Sequence, residues 1–156
     1  MNALIPLAVA VHVISAVVWV GGMFFAYVVL RPSLVILESP AHRLKVWSQV
    51  FGRFFVWVWA AIALLTISGY HLIFAVYGEL ANVGVHIHLM YSLAMVMFVL
   101  FFYLFFGPYR HFAEAAGADD WPTAGEFLPA IRRIVFINLL LGLLVAVIGA
   151  SGRYWL

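Results

Sequence analysis

Four of the six histidines in this 156-residue chain lie inside apolar segments. They are His12, His71, His86 and His88, on three of the segments described below. An ionisable side chain inside a bilayer is costly and usually marks a site for an ion, a proton or a cofactor. Because neutral imidazole is a good ligand of iron and copper, these residues predict a haem or metal site. Taken one at a time, each could instead hydrogen-bond a neighbouring backbone carbonyl.

The composition indicates what kind of protein must position these histidines. The chain is 67% hydrophobic and 9% charged, whereas a soluble domain has roughly 25% charged residues. Its mean hydropathy is +1.13, which indicates a single-domain integral membrane protein with the lipid bilayer as its environment. The net charge of +2 comes from a few basic residues and does not indicate a nucleic-acid partner. Because cysteine is absent, disulfides, thiolate metal sites and c-type haem attachment are excluded.

Four stretches are long and apolar enough to cross a bilayer, which takes about 20 residues. They span about 3–30, 54–77, 82–106 and 134–152. Backbone polar groups in lipid must be satisfied within the segment, so each stretch is predicted to be a helix. The predicted fold is an all-α bundle of four transmembrane helices, forming one domain over residues 1–156.

The basic residues predict the orientation. The first and third connections hold seven of the eight, namely Arg31, Arg43, Lys45, Arg53, Arg110, Arg132 and Arg133. Only Arg153 lies at the opposite side. By the positive-inside rule both termini should face outward, which is the periplasm if the protein lies in a bacterial inner membrane.

Short sequence motifs predict helical structure in the segments that connect the spans. The basic and aromatic residues of 41–53 predict a short interfacial helix before the second span. Thr123 followed by Glu126 fits a capping box, which predicts a helix start there, and Pro129 predicts a bend before the fourth span. A stripe of small residues on that span is formed by Gly142, Ala146 and Ala150. It could pack against the first span of the same chain or against a second copy in a homodimer.

Helix geometry places the histidines at similar depth. His12 lies roughly 12 Å, and His71 and His88 each roughly 9 Å, inside their spans from the outer ends. His86 lies slightly higher and points about 200° away from His88 around the helix. These two therefore cannot both enter one small site, so one ligates while the other supports it, or there are two sites.

A haem b needs axial ligands, an apolar slot and a partner for its propionates. Four residues share helix faces with the histidines and could line such a slot: Ser15, Trp19, Ser68 and Gly84. The small ones among them could instead serve only to pack helices together. Arg153 is the outward arginine and is either a propionate partner or an interfacial anchor.

Copper is the alternative ligand. Cu(I) prefers soft donors such as the methionine thioether and also accepts imidazole. Met90 lies one turn from His86 on the same helix face. Met23, Met95 and Met97 lie deeper and would form a ladder through the membrane, or they fill the core.

The first span carries a more specific pattern. His12 is followed by Val-Ile-Ser-Ala-Val-Val-Trp19-Val-Gly21-Gly22, and then by Arg31-Pro32. This pattern resembles the copper-resistance D (CopD) family of bacterial inner-membrane proteins, which implies copper uptake or resistance. Together with Val-His86-Ile-His88-Leu it also resembles the related HemJ-type protoporphyrinogen oxidases, which implies haem b binding. His12 and His86 match the histidines of that type, but His88 stands where it has lysine, which argues against porphyrinogen oxidation and favours bis-histidine ligation.

The main prediction is a haem b-binding membrane protein with His12, His71 and His88 as candidate ligands. It would transfer electrons with a quinone or a periplasmic redox partner, and would then be a membrane oxidoreductase. The first alternative is a CopD-type copper transport or resistance protein that uses His86, Met90 and the other histidines. The second alternative is a structural subunit of a membrane complex without a cofactor.

Overall fold

A computed structural model describes residues 4–155 as four long helical segments joined by short connections. They are α1 (Leu4–Ile36), α2 (Pro40–Tyr77), α3 (Val85–Gly117) and α4 (Trp121–Tyr154), and each is long and apolar enough to cross a membrane. One 3₁₀ turn, Leu80–Asn82, lies between α2 and α3, and the described residues contain no strand. The predicted all-α fold with four membrane-spanning helices is confirmed.

The helices extend beyond their apolar spans at one end of the bundle. The prediction of a separate interfacial helix over 41–53 is wrong, because α2 is continuous from Pro40 to Tyr77. Leu44, Trp47 and Phe51 are buried on the face of α2 that continues as Phe55 and Val58 inside the span. The burial of this uninterrupted apolar face holds the amphipathic segment in line with the span.

The third helix also continues past its predicted end, with a kink. Residues Phe105–Tyr109 form a π-helical turn in which Gly107 has non-helical dihedral angles (φ −99°, ψ −107°). The cause is Pro108, which lacks an N–H and crowds the preceding turn. The chain then resumes as the helix Arg110–Gly117.

The fourth helix begins three residues earlier than its capping signal predicts. Asp120 is the N-cap, and its side chain accepts a hydrogen bond of 3.2 Å from the backbone N–H of Thr123. Thr123 is therefore inside the helix, and the predicted capping box is wrong. Pro129 lies within the continuous α-helix Trp121–Ser151, and the bend predicted there stays a prediction.

The Asp120 cap should make stability depend on pH. Hydrogen bonding from Thr123 lowers the pKa of the Asp120 carboxyl below its ordinary value. A lowered carboxyl pKa stabilises the fold above the unfolded-state value of about 3.9, and that contribution is lost as the pH falls through the folded-state value. Asp120→Asn also caps a helix but does not titrate. The stability difference between the wild type and Asp120→Asn, measured by thermal melting, should shrink below about pH 4; a constant difference would contradict the assignment.

Side-chain packing divides the bundle into two ends. The end that carries the seven basic residues, here called the basic end, holds most of the hydrophobic core. Aromatic rings there connect the helices: Trp19 of α1 stacks on Phe98 of α3 at 5.7 Å, and Phe55 of α2 meets the edge of Phe101 at 5.6 Å. The opposite end, which carries the four histidines, is called the histidine end and has fewer buried side chains.

Of the small-residue stripe on the fourth span, one residue packs against neighbouring helices. Gly142 is buried between α1 and α3, where an added Cβ would lie 2.7 Å from Val20 Cγ2 and 3.2 Å from Met97 Cε. Ala146 and Ala150 are exposed. Contact between the fourth and first spans is therefore present at Gly142, and a homodimer through the exposed part stays a prediction.

Candidate functional site

The imidazole of His12 lies in the contact between α1 and α2. Its Nδ1 is 2.9 Å from Ser68 Oγ. Gly69 makes the close approach possible, since a Cβ at that position would lie only 3.3 Å from His12 Cε1. The two helices therefore hold the ring on two sides at the histidine end.

The hydrogen bonds of Ser68 determine which nitrogen of His12 is available. Ser68 Oγ donates to the carbonyl oxygen of Leu64 at 2.6 Å, which uses its one hydrogen. With that hydrogen used, Ser68 Oγ can accept from His12 Nδ1–H across the 2.9 Å contact, and this is the direction adopted here. In neutral imidazole this tautomer leaves Nε2 with a free lone pair, which is the form a metal binds. Ser68 thus orients the ring and selects the tautomer, as partners of ligating histidines commonly do.

His71 lies one turn after Ser68 on the same face of α2. Its side chain is half-buried, and its Nε2 is buried without a hydrogen-bond partner among residues 4–155. A buried nitrogen without a partner costs free energy, and a native structure retains few of them. His12 contacts Ser68 across the helix interface and His71 follows Ser68 by one turn, and the two histidines are called the His12–His71 pair.

His86 and Met90 face the fourth helix instead. Gly152 lies directly against the Cβ of His86, and a Cβ at Gly149 would be 3.0 Å from Met90 Cε. Gly84 lies one turn before His88 on the same helix, but the ring that covers it is that of His86: a Cβ at Gly84 would lie 2.9 Å from His86 Cε1. Two histidines separated by about 200° on one helix cannot share a side, and accordingly His88 is exposed.

The four histidines have different surroundings: His12 and His71 lie on α1 and α2, His86 packs against α4, and His88 is exposed. Within residues 4–155 no group of three or more histidine, aspartate or glutamate side chains is close enough to hold a metal ion. The convergence of three or more histidines on one ion is therefore not seen, and their matched depth stays a prediction. The assignments of His12, His71, His86 and His88 as ligands stay predictions.

The other predicted site residues have identifiable structural partners. Ser15 is buried and donates to the carbonyl of Val11 in its own helix at 2.8 Å. Trp19 belongs to the aromatic core. Arg153 is exposed, with its guanidinium 5.2 Å from the centre of the Tyr154 ring.

The hydrogen bond from His12 to Ser68 is the feature that sequence reasoning missed. Along the helix Ser68 lies on the face of His71, but its contact across the interface is with His12. The signal was the Ser68-Gly69 dipeptide at the depth of His12, since a small hydroxyl beside a glycine admits a ring from a neighbouring helix.

Comparison with known families decides the identity. The family model described as copper resistance protein D matches residues 48–151, two thirds of the chain. The chain belongs to the copper resistance D (CopD) family. No curated protein and no solved structure matches it.

The matched segment of this CopD protein covers most of α2, all of α3 and most of α4. It includes His71, His86 and His88 and leaves out His12. The predicted family is thus confirmed through a different part of the chain from the first-span pattern that suggested it. The relation to HemJ-type proteins stays a prediction. CopD membership and four apolar helices make this a multi-pass membrane protein of the copper-resistance type.

Proposed function

We propose that this CopD protein binds Cu(I) at the histidine end through the His12–His71 pair, as the cargo of a copper transport or resistance function. The supporting observation is the buried, unpartnered Nε2 of His71, one turn from the serine that orients His12. Family membership favours copper over other metals.

The chemistry of the donors fits a monovalent copper ion. Cu(I) accepts imidazole, and it is stable with as few as two donors. The cost of placing an ion in a low-dielectric environment rises with the square of its charge, so Cu(I) is far less costly to bury than a divalent metal. Two neutral imidazoles, without carboxylates, leave the complex with a single positive charge.

His86 and Met90 are proposed as a second pair of copper donors, on α3. A thioether one turn from an imidazole combines a soft donor with a nitrogen donor on one helix face. Both side chains now pack against glycines of α4, so copper binding there requires a small displacement of α3 from α4. Met23 and Met97 lie in the hydrophobic core and are not part of this proposal.

Direct copper binding by the purified protein tests this function. The full chain in detergent would be equilibrated anaerobically with Cu(I) buffered by a chromogenic chelator. We expect about one tightly bound Cu(I) per chain, at the His12–His71 pair, because binding at His86 and Met90 must also displace α3 from α4. Ag(I), which shares the charge and softness of Cu(I), should compete. No retained copper would overturn the proposal, and absence of both copper and haem would favour the structural-subunit alternative.

Haem b bound near the same end, with electron transfer to a quinone or a periplasmic redox partner, is the second candidate. The unpartnered Nε2 of His71 also suits an axial iron ligand. The His12 ring itself packs against Gly69, where an added Cβ would lie 3.3 Å from its Cε1. Visible spectra distinguish the two candidates. The protein would be expressed with ample haem and its spectrum recorded oxidised and then reduced. Split bands in the reduced spectrum indicate haem, whereas a flat spectrum from protein that binds copper supports the first proposal.

We further propose that the histidine end faces the periplasm of a bacterial inner membrane. Seven of the eight basic residues lie at the opposite end, and the positive-inside rule orients that end toward the cytoplasm. In this orientation the His12–His71 pair would receive copper from outside the cell.

A further inference from the structure

A cleft opens at the basic end, where α1, α2 and α4 meet. It holds two arginines, Arg31 near the end of α1 and Arg132 inside α4, on helices that continue into the apolar part of the bundle. The remaining walls are mainly apolar and aromatic: Ala26, Tyr27, Trp47, Phe51, Ile131 and Val135. No other charged residue lines this cleft.

The two arginines lack a counter-ion within the described chain. The ion pairs among residues 4–155 both use Glu114, with Arg110 at 2.9 Å and with His111 at 3.8 Å. Arg132 is half-buried, and its Nε is buried without an acceptor. The basic end thus contains two guanidinium groups around one cleft and no carboxylate paired with either.

Aromatic faces position both guanidinium groups. Arg31 lies 4.9 Å from the centre of the Tyr27 ring, and Arg132 lies 6.0 Å from that of Trp47. Such contacts orient a guanidinium plane and leave its N–H groups free to donate at the edge. The planar fork of N–H donors matches the oxygens of a phosphate and binds them in pairs. A bound anion would relieve the repulsion between the two cations and satisfy the buried Nε.

The size of the cleft restricts the anion. Its volume of about 20 Å³ is close to that of a single water-sized group. One phosphate oxygen can enter, while the remainder of the ligand must lie outside, along the helices. A phospholipid has this shape, because its phosphate lies at the membrane surface and its acyl chains run beside the apolar spans. The cleft also lies where the apolar spans end, which is the depth of lipid head groups.

We infer that this cleft is a binding site for the phosphate of an anionic phospholipid, with Arg31 and Arg132 as its ligands. Lys45 and Arg53 add positive charge at the same end of α2, where they line a second groove of about 240 Å³ together with Val46 and Val50. Clustered basic residues on the cytoplasmic side of membrane helices attract anionic lipid. This site is separate from the histidine end and does not depend on the proposed copper function.

Lipid binding by the full chain tests the inference. Purified protein in detergent would be titrated with phosphatidylglycerol or phosphatidylcholine of the same acyl chains, and bound lipid counted by native mass spectrometry. We expect phosphatidylglycerol to bind at least about tenfold more tightly than phosphatidylcholine, and Arg132→Gln to remove that preference. Arg133→Gln is the matched control, because it removes the same charge from an exposed neighbouring position outside the cleft. It should change affinity less than about twofold.

Two more variants and a competition experiment complete the test. If Arg132→Gln fails to fold, Arg31→Gln at the exposed side of the cleft should give the same loss. Arg132→Lys keeps the charge without the planar fork and should fall between the wild type and Arg132→Gln. Equal losses in Arg132→Gln and Arg133→Gln would show general charge attraction and overturn the site. Displacement of phosphatidylglycerol by millimolar inorganic phosphate would assign the cleft to a free anion and overturn the lipid as its occupant.

Discussion

His12→Ala is expected to lower the affinity for Cu(I) by at least about 100-fold, since loss of a second-shell partner alone typically costs 10–100-fold. The substitution removes one of only two proposed donors. His71 would then be the single remaining donor of the pair, too few to hold the ion tightly. Once the ion is lost, its Nε2 is again a buried nitrogen without a partner. The measurement is the anaerobic competition titration described above, performed beside circular dichroism to confirm that the variant is folded.

A graded series makes this result specific. Ser68→Ala removes the hydrogen bond that selects the His12 tautomer and should cost about 10–100-fold while both imidazoles remain. His42→Ala is the matched control, because His42 is exposed on the part of α2 that belongs to the basic end. The Cu(I) affinity of this variant should equal that of the wild type. Wild-type affinity in His12→Ala would contradict the assignment of His12. Equal losses in His12→Ala and His42→Ala would point to nonspecific histidine binding.

Gly152→Ala should destabilise the bundle by about 1–3 kcal/mol, the usual cost of overpacking. Gly152 is buried, and an added Cβ would meet the Cβ and Cγ of His86. The Cβ of His86 is fixed to the backbone and cannot turn away, so α3 and α4 must separate at the histidine end. Thermal unfolding of the purified protein, followed by circular dichroism, would measure the loss.

Two other glycines provide controls of graded severity. A Cβ at Gly149 would meet the flexible end of Met90, which can move, so Gly149→Ala should cost less. Gly21→Ala meets nothing within 4 Å and should be neutral or stabilising, since alanine favours a helix by about 1 kcal/mol over glycine. A Gly152→Ala variant as stable as Gly21→Ala would show that α3 and α4 do not pack closely at this position.

Much of the fold follows from local sequence patterns. Long apolar stretches require helices in lipid, because no other arrangement satisfies the backbone within a segment. The opposed directions of His86 and His88 likewise follow from helix geometry, and the structure agrees by packing one against α4 and leaving the other exposed. The errors occur where helices end. The burial of Trp47 and Phe51 extends α2 into its basic segment, and the Asp120 side chain caps α4 ahead of the predicted start.

The sequence by itself determined the four membrane-spanning helices and the opposed directions of His86 and His88. Only the tertiary structure decided that His12 binds Ser68, that Gly84 accompanies His86, and that Arg31 and Arg132 share a cleft. The physical reason is the range of the interactions. Helix period and hydropathy act over a few residues and can be read along the chain. The contacts between helices join residues far apart in sequence, and they depend on which faces pack together.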